Sequence, residues 1–203
     1  MGSAGADRGV INVEDQEHSP PAGFDALLGA AREGQESAWQ RLFADFAPAV
    51  AGYLRVQGAV EVDDLVSEVF IGLFRGIGTF VGGAADFRSW VFVIAHHRLV
   101  DERRRRGRRR IEASGTGTPH EDTPAIGDVA SAALDRMGAA RVVALCERLV
   151  PDQRDVLVLR IIADLTIEQI ADVVGKSAGA VKALQRRGLA AVQREIAREG
   201  VPL

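Results

Sequence analysis

Aromatic, histidine and arginine side chains crowd one stretch of the chain, Phe87 to Arg110, which reads FRSWVFVIAHHRLVDERRRRGRRR. Seven of the eight positions from Arg103 to Arg110 are arginine, interrupted only by Gly107. Guanidinium groups grip phosphate through forked, charge-assisted hydrogen bonds. Flat side chains beside such a positive groove hold unpaired bases by stacking. Phe80, His96, His97 and Arg98 are the candidates for that surface, while Trp90, one turn beyond Phe87, reads as core packing. His97 and Asp101, at i and i+4, have the spacing of metal ligands. A third ligand is not evident, however, and the neighbouring arginines would repel a cation, so no metal or cofactor is expected. No phosphate-cradling loop of the P-loop kind and no Ser–His or Cys–His nucleophile pair stands out. The chemistry on offer is binding, with no catalytic residue to name.

A second cluster lies in LTIEQIADVVGKSAGAVKALQRRGLAAVQ, Leu165 to Gln193. Thr166 and Gln169 form a capping box, and Gly175 supplies the left-handed residue that ends a short helix. Ser177 caps the next helix, in which Val181, Leu184, Gly188 and Val192 face inward. Its outward residues are Ala178, Lys182, Gln185, Arg186 and Arg187. Arginine and glutamine pair bidentately with guanine and adenine edges, and a major groove admits one helix. Short helix, glycine turn and basic second helix together read as a DNA-binding helix-turn-helix. Leu145, Leu149, Val156, Leu157, Leu159 and Ile161 are expected to pack beneath it, and Pro151 and Asp152 begin a helix there.

The elements that position these residues are helical. Leu27, Leu28 and Ala31 suit a first short helix. Trp39, Leu42, Phe43, Phe46, Val50 and Leu54 recur at three and four, the mark of one buried face, and Gly58 ends that helix. Asp63 is a plausible N-cap for the next, with Val66, Phe70, Leu73, Phe74 and Ile77 as its apolar stripe. After a glycine-rich loop around Thr79 to Ala85, Asp86 caps a helix with Phe87, Val91, Ile94, Ala95 and Leu99 inward. Asp64 and Glu68 share a helix face beside an apolar stripe, a docking surface for a basic partner. Residues 111–135 have the composition of a flexible, acidic linker, and residues 1–23 that of a flexible tail. The expected fold is all-α: two small helical domains, 24–110 and 136–203, joined by that linker.

Composition bounds the function classes. In 203 residues the formal net charge is −3, and 23 of the 25 basic residues are arginine, the exceptions being Lys176 and Lys182. Everything outside the seven-arginine run sums to −10, so the chain is acidic with one dense place for a phosphate backbone. No apolar run approaches the ~20 residues of a membrane span, and the N-terminus lacks the apolar core of a secretory signal. One cysteine, Cys146, allows no internal disulfide and reads as core. A cytoplasmic protein without membrane insertion is expected.

Taken in order, these motifs resemble bacterial RNA polymerase sigma factors of the two-domain extracytoplasmic-function (ECF) type. DDLVSEVFIGLFR resembles the helix that docks on the polymerase clamp helices. FRSWVFVIAHHRLVDERRR resembles the segment that melts and reads the −10 element, and LVPDQRDVLVLRIIADLTIEQIADVVGKSAGAVKALQRR the module that reads the −35 element. The resemblance implies polymerase contacts at Asp64, Leu65, Glu68 and Val69. It implies −10 contacts at Phe80, Arg88, His96, His97 and Arg98, with Arg103, Arg104 and Arg105 adding phosphate contacts. Ser177, Lys182, Gln185, Arg186 and Arg187 would face the −35 duplex. The implied partners are core RNA polymerase (clamp helices and flap region), promoter DNA both duplex and single-stranded, and an anti-sigma protein such as often restrains the family. The sequence departs from the family at His97, where asparagine is common.

Two other readings differ in what they predict. A stand-alone helix-turn-helix regulator with an N-terminal interaction domain would bind promoter duplex tightly by itself. A nucleic-acid-processing enzyme built on His96, His97 and Asp101 would show metal-dependent turnover.

Overall fold

Seven helices make up the described part of the computed structural model, which covers residues 23–113, 145–146 and 148–198. They are α1 (Phe24–Arg32), α2 (Glu36–Val56), α3 (Val62–Gly76), α4 (Ala84–Ala113), α5 (Pro151–Ile161), α6 (Ile167–Val174) and α7 (Ala178–Arg198). The expected tail, most of the expected linker and the start of the second domain lie outside the described residues. α4 continues three residues beyond the boundary expected at Arg110.

Local chemistry sets most helix ends. Thr166 Oγ1 accepts from Gln169 N (3.2 Å) while Gln169 Oε1 accepts from Thr166 N (2.9 Å), the reciprocal capping box. Gly175 ends α6 at φ 65°, a left-handed conformation that glycine adopts without a Cβ clash. Ser177 Oγ accepts from Ala180 N at 3.3 Å, and Pro151 opens α5. Two caps differ from expectation. Glu61, not Asp63, is the N-cap of α3, and no side chain caps it. Asp86 lies inside the first turn of α4 and caps backwards, Oδ2 accepting from Gly83 N at 2.9 Å.

α1, α2 and α3 surround the first half of α4, and Tyr53, Leu54, Leu73, Phe87, Phe92 and Leu99 are fully buried between them. Phe87 is the hub: its ring meets Phe24, Phe46, Phe80 and Trp90 at centroid distances of 5.4–5.7 Å. α5, α6 and α7 form the second unit around Val156, Leu159, Leu165, Ile170 and Val181. Gly188 lets α7 close on α5, since a Cβ there would stand 2.9 Å from Leu157 Cδ1. Cys146 is buried in this core. The two units also meet. α6 packs on α4 and α5 on α2, Ile162 lies over Gly52, and Gln169 Nε2 donates to Ala85 O at 3.2 Å.

Three residues expected inside are outside. Phe43 and Phe74 are 49% and 61% exposed, and Ile161 is 63% exposed. Phe43 tilts against Phe70 and Phe74 against Trp39, so the outer α2–α3 seam is an aromatic ribbon with one side in solvent.

Candidate nucleic-acid interface

α3 and α4 approach closely where Gly72 faces Ile94; a Cβ on Gly72 would stand 3.1 Å from Ile94 Cγ2. The groove that opens along this seam is lined by Trp90, Ile94, His97, Arg98, Asp101 and Arg104. Their spacing of three and four residues is the reason they share one face of α4. His97 and Arg104 are exposed and Arg98 is half-buried, so the groove carries two guanidinium groups and an imidazole above an indole floor. Arg98 Nε is buried there without a hydrogen-bond partner, and Glu68 stands 3.8 Å from both Arg98 Nε and Arg105 Nη2. A flat wall, unspent N–H donors and loose ion pairs suit an unpaired, phosphate-bearing strand. Among the described residues no group of three or more His, Cys, Asp or Glu side chains could hold a metal.

At the rim of this groove lies the loop between α3 and α4. Phe80 stacks on Trp90 (centroids 5.0 Å apart, planes 20° from parallel). Val81 beside it is 91% exposed. In the second unit, Lys182, Gln185, Arg186, Leu189 and Gln193 line a shallow groove along the outer side of α7. Lys182, Arg186 and Arg187 are exposed, and Ser177 is engaged as the helix cap. This is the geometry of a reading helix presented by a helix-turn-helix.

Comparison with known proteins then decides the family. Residues 42–109 match the model of Sigma-70 region 2, and residues 147–194 that of Sigma-70, region 4. The ECF RNA polymerase sigma factor ShbA of Streptomyces griseus is 30% identical over 81% of this chain and 90% of its own. The ECF sigma factor BldN of Streptomyces coelicolor is 31% identical over 83% of this chain, which spans 64% of BldN. The chain belongs to the ECF RNA polymerase sigma factors. A sigma factor of this kind is non-catalytic and directs RNA polymerase to promoters. Two solved structures share its fold: CnrH in complex with the cytosolic domain of CnrY (24% identity, 87% of this chain and 98% of that one, TM-score 0.61), and the Bartonella quintana sigma factor RpoE bound to the anti-sigma factor NepR (20% identity, 76% and 94%, TM-score 0.64). Among the described residues, no helix of this sigma factor is long and apolar enough to cross a membrane.

Within its region 2, the structure divides the residues that the sequence had grouped. On α3, Asp64 is exposed and Glu68 half-exposed, whereas Leu65 and Val69 point into the core and present no side chain to a partner. On α4, His96 and His97 are neighbours in sequence but about 100° apart around the helix. His97 faces solvent, while His96 turns towards α2, its Nδ1 2.8 Å from the Tyr53 hydroxyl. Burial, then the neighbouring His97 and Arg103, hold the His96 imidazole at a pKa of about 4. Arg103 likewise turns away from the groove: Nη2 donates to Gln57 O (2.7 Å) and Oε1 (3.1 Å). Arg88 lies over the Phe46 ring, 5.5 Å from its centroid. Phe80 is packed between Trp90 and Phe87 instead of standing free, and Trp90, expected in the core, floors the groove. His97, Arg98, Arg104 and Arg105 remain as the outward donors.

Sequence reasoning missed Arg32, Gln57, Tyr53 and Asp155. Arg32 ties α1 to the loop between α3 and α4. Asp155 on α5 is half-buried near Arg103 and Gln57, and burial raises its carboxyl above the ordinary range. Only tertiary contact brings these groups together, so no local spacing announces them.

Proposed function

We propose that region 2 of this sigma factor docks on the clamp helices of core RNA polymerase through Asp64 and Glu68. Ile71, one turn further on and 49% exposed, extends that face. The non-template −10 strand then lies in the α3–α4 groove, with bases against Trp90 and the loop, and phosphates on Arg98, Arg104 and Arg105. His97, at the groove's edge, reads the base entering it. Region 4 sits near the polymerase flap and sets Lys182, Gln185, Arg186 and Arg187 into the −35 major groove. Arg88, His96, Arg103 and Phe80 act by holding α4 and the loop in place. The observation that carries this reading is the segregation on α4, where one face is spent on packing and the other keeps its donors for a strand.

Strand opening follows from differential affinity. A groove that accepts only unpaired bases binds the open promoter and not the closed one, and shifts the equilibrium towards opening. Two modest readers on one chain gain affinity through effective concentration once polymerase fixes their spacing. The protein works in the cytoplasm with the polymerase. An anti-sigma protein is a further expected partner, supported by the sigma factor RpoE having been solved with NepR.

The test separates the readers within holoenzyme. Lys182→Ala with Arg186→Ala is expected to abolish discrimination between −35 sequences. Its log–log salt dependence should become shallower by about 0.9 for every phosphate that is no longer neutralised. His97→Ala with Arg104→Ala should keep −35 discrimination and lose −10 opening. Equal loss of both functions in both variants, or loss in neither, would contradict the assignment.

A further inference from the structure

The loop between α3 and α4 is pinned from both sides, and one of the pins comes from a helix with no other part in the site. Arg32, the last residue of α1, reaches across 45 and 48 positions of sequence. Its Nε donates to Ile77 O at 3.3 Å and its Nη2 to Phe80 O at 2.6 Å. Trp39 Nε1 donates to Ala31 O at 3.0 Å and so fixes the end of α1 from which Arg32 projects. At the far side of the loop, Asp86 accepts from Gly83 N. Gly82 sits at φ 151°, where a Cβ would stand 2.6 Å from that of Asp86. Between the pins Phe80 is wedged on Trp90, and Val81 stands almost wholly in solvent. A forked guanidinium suits this task, because two carbonyl oxygens three residues apart can be held at once; an ammonium is a point donor.

We propose that Arg32 is a positioning residue for promoter opening. By fixing the Ile77 and Phe80 carbonyls it holds the loop so that Phe80 braces Trp90 and Val81 projects towards the strand in the groove. An apolar side chain presented on a held backbone can replace a stacking neighbour as a base leaves the duplex, whereas on a loose loop it would first have to be ordered. Arg32 touches no nucleic acid itself. The inference rests on the −10 strand occupying the α3–α4 groove, and goes beyond that reading by adding α1 to the opening machinery.

The test uses the full chain with core polymerase and a duplex promoter carrying a fluorescent base analogue in the non-template −10 strand. Arg32→Ala is expected to slow opening about tenfold, because the released loop must then be ordered as the strand enters the groove. Affinity for core polymerase and −35 discrimination should stay close to wild type, and the free protein should stay folded with only a modest drop in thermal midpoint. Arg32→Lys should recover only part of the rate. Val81→Gly should slow opening by itself, and in the double variant Arg32→Ala should add little, because both act through one loop. Opening by Arg32→Ala at the wild-type rate, or fully additive losses with Val81→Gly, would overturn the proposal. If wild-type holoenzyme opened the promoter but Trp90→Ala with Arg104→Ala opened it equally well, the groove reading itself would fall, and this inference with it.

Discussion

Phe87→Ala is expected to cost about 3–5 kcal/mol of folding stability, the range for deleting a fully buried phenyl ring. The ring is wholly shielded from solvent and touches four other aromatic rings, contributed by α1, α2, the loop and α4 itself. No single neighbour can move to fill the cavity without leaving its own packed place, so relaxation recovers little. Small domains have only about 5–15 kcal/mol in total, so the variant sits near the threshold of unfolding at growth temperature. Denaturant titration followed by tryptophan emission checks this, since the Trp90 ring belongs to the cluster. Phe74→Ala, on an exposed ring, should cost much less. Equal midpoints for the two variants would mean that Phe87 is not the hub.

The second large effect is one of acidity. His96 is held at a pKa of about 4, against 6.5 for a free imidazole, first by burial and then by His97 and Arg103. Between these values the unfolded chain binds a proton that the folded chain refuses. Stability is therefore full above about pH 6.5 and falls as the pH drops towards 4. The loss from this group is about 2 kcal/mol by pH 5 and about 3 kcal/mol by pH 4. Tyr53, bonded to the same ring, has its hydroxyl pushed well above 10 by burial and stays neutral throughout. Asp155 has the opposite sign: its carboxyl is raised by burial, so protonation favours the folded state once the pH falls through its folded value. His96→Gln separates the two, because glutamine can still meet the Tyr53 hydroxyl but does not titrate. The variant is expected to be slightly less stable than wild type at pH 7.5 and more stable at pH 5. Parallel stability curves across that interval would show that His96 does not titrate in this window.

The helix-turn-helix was legible because its signals are local. Thr166 with Gln169, Gly175, Ser177 and Pro151 each act within four residues, and each does in the structure what its spacing implied. The buried stripes of α1, α2 and α3 were legible in the same way, except where a stripe outran its partner. Phe43 and Phe74 continue the period, yet past the edge of the opposing helix they meet only another half-exposed aromatic ring. The face of α4 was the hardest to read. Its apolar residues Trp90, Val91, Phe92, Val93, Ile94 and Ala95 run consecutively, because α2, α3 and α6 all pack against it, and a helix enclosed on several sides shows little amphipathic period. That is why His96 and Arg103 were grouped with His97 and Arg104, although one pair packs against α2 and the other lines the groove. Arg32 lay beyond local reading altogether, since its partners are more than forty residues away.

Single-round transcription with purified bacterial core polymerase on a genomic promoter library tests the central claim most directly. Added wild-type protein is expected to produce specific new starts that share one −10 and one −35 element, and Asp64→Ala with Glu68→Ala should remove them without unfolding the chain. No new starts from a panel of cognate core enzymes, together with tight binding of promoter duplex by the protein alone, would contradict it.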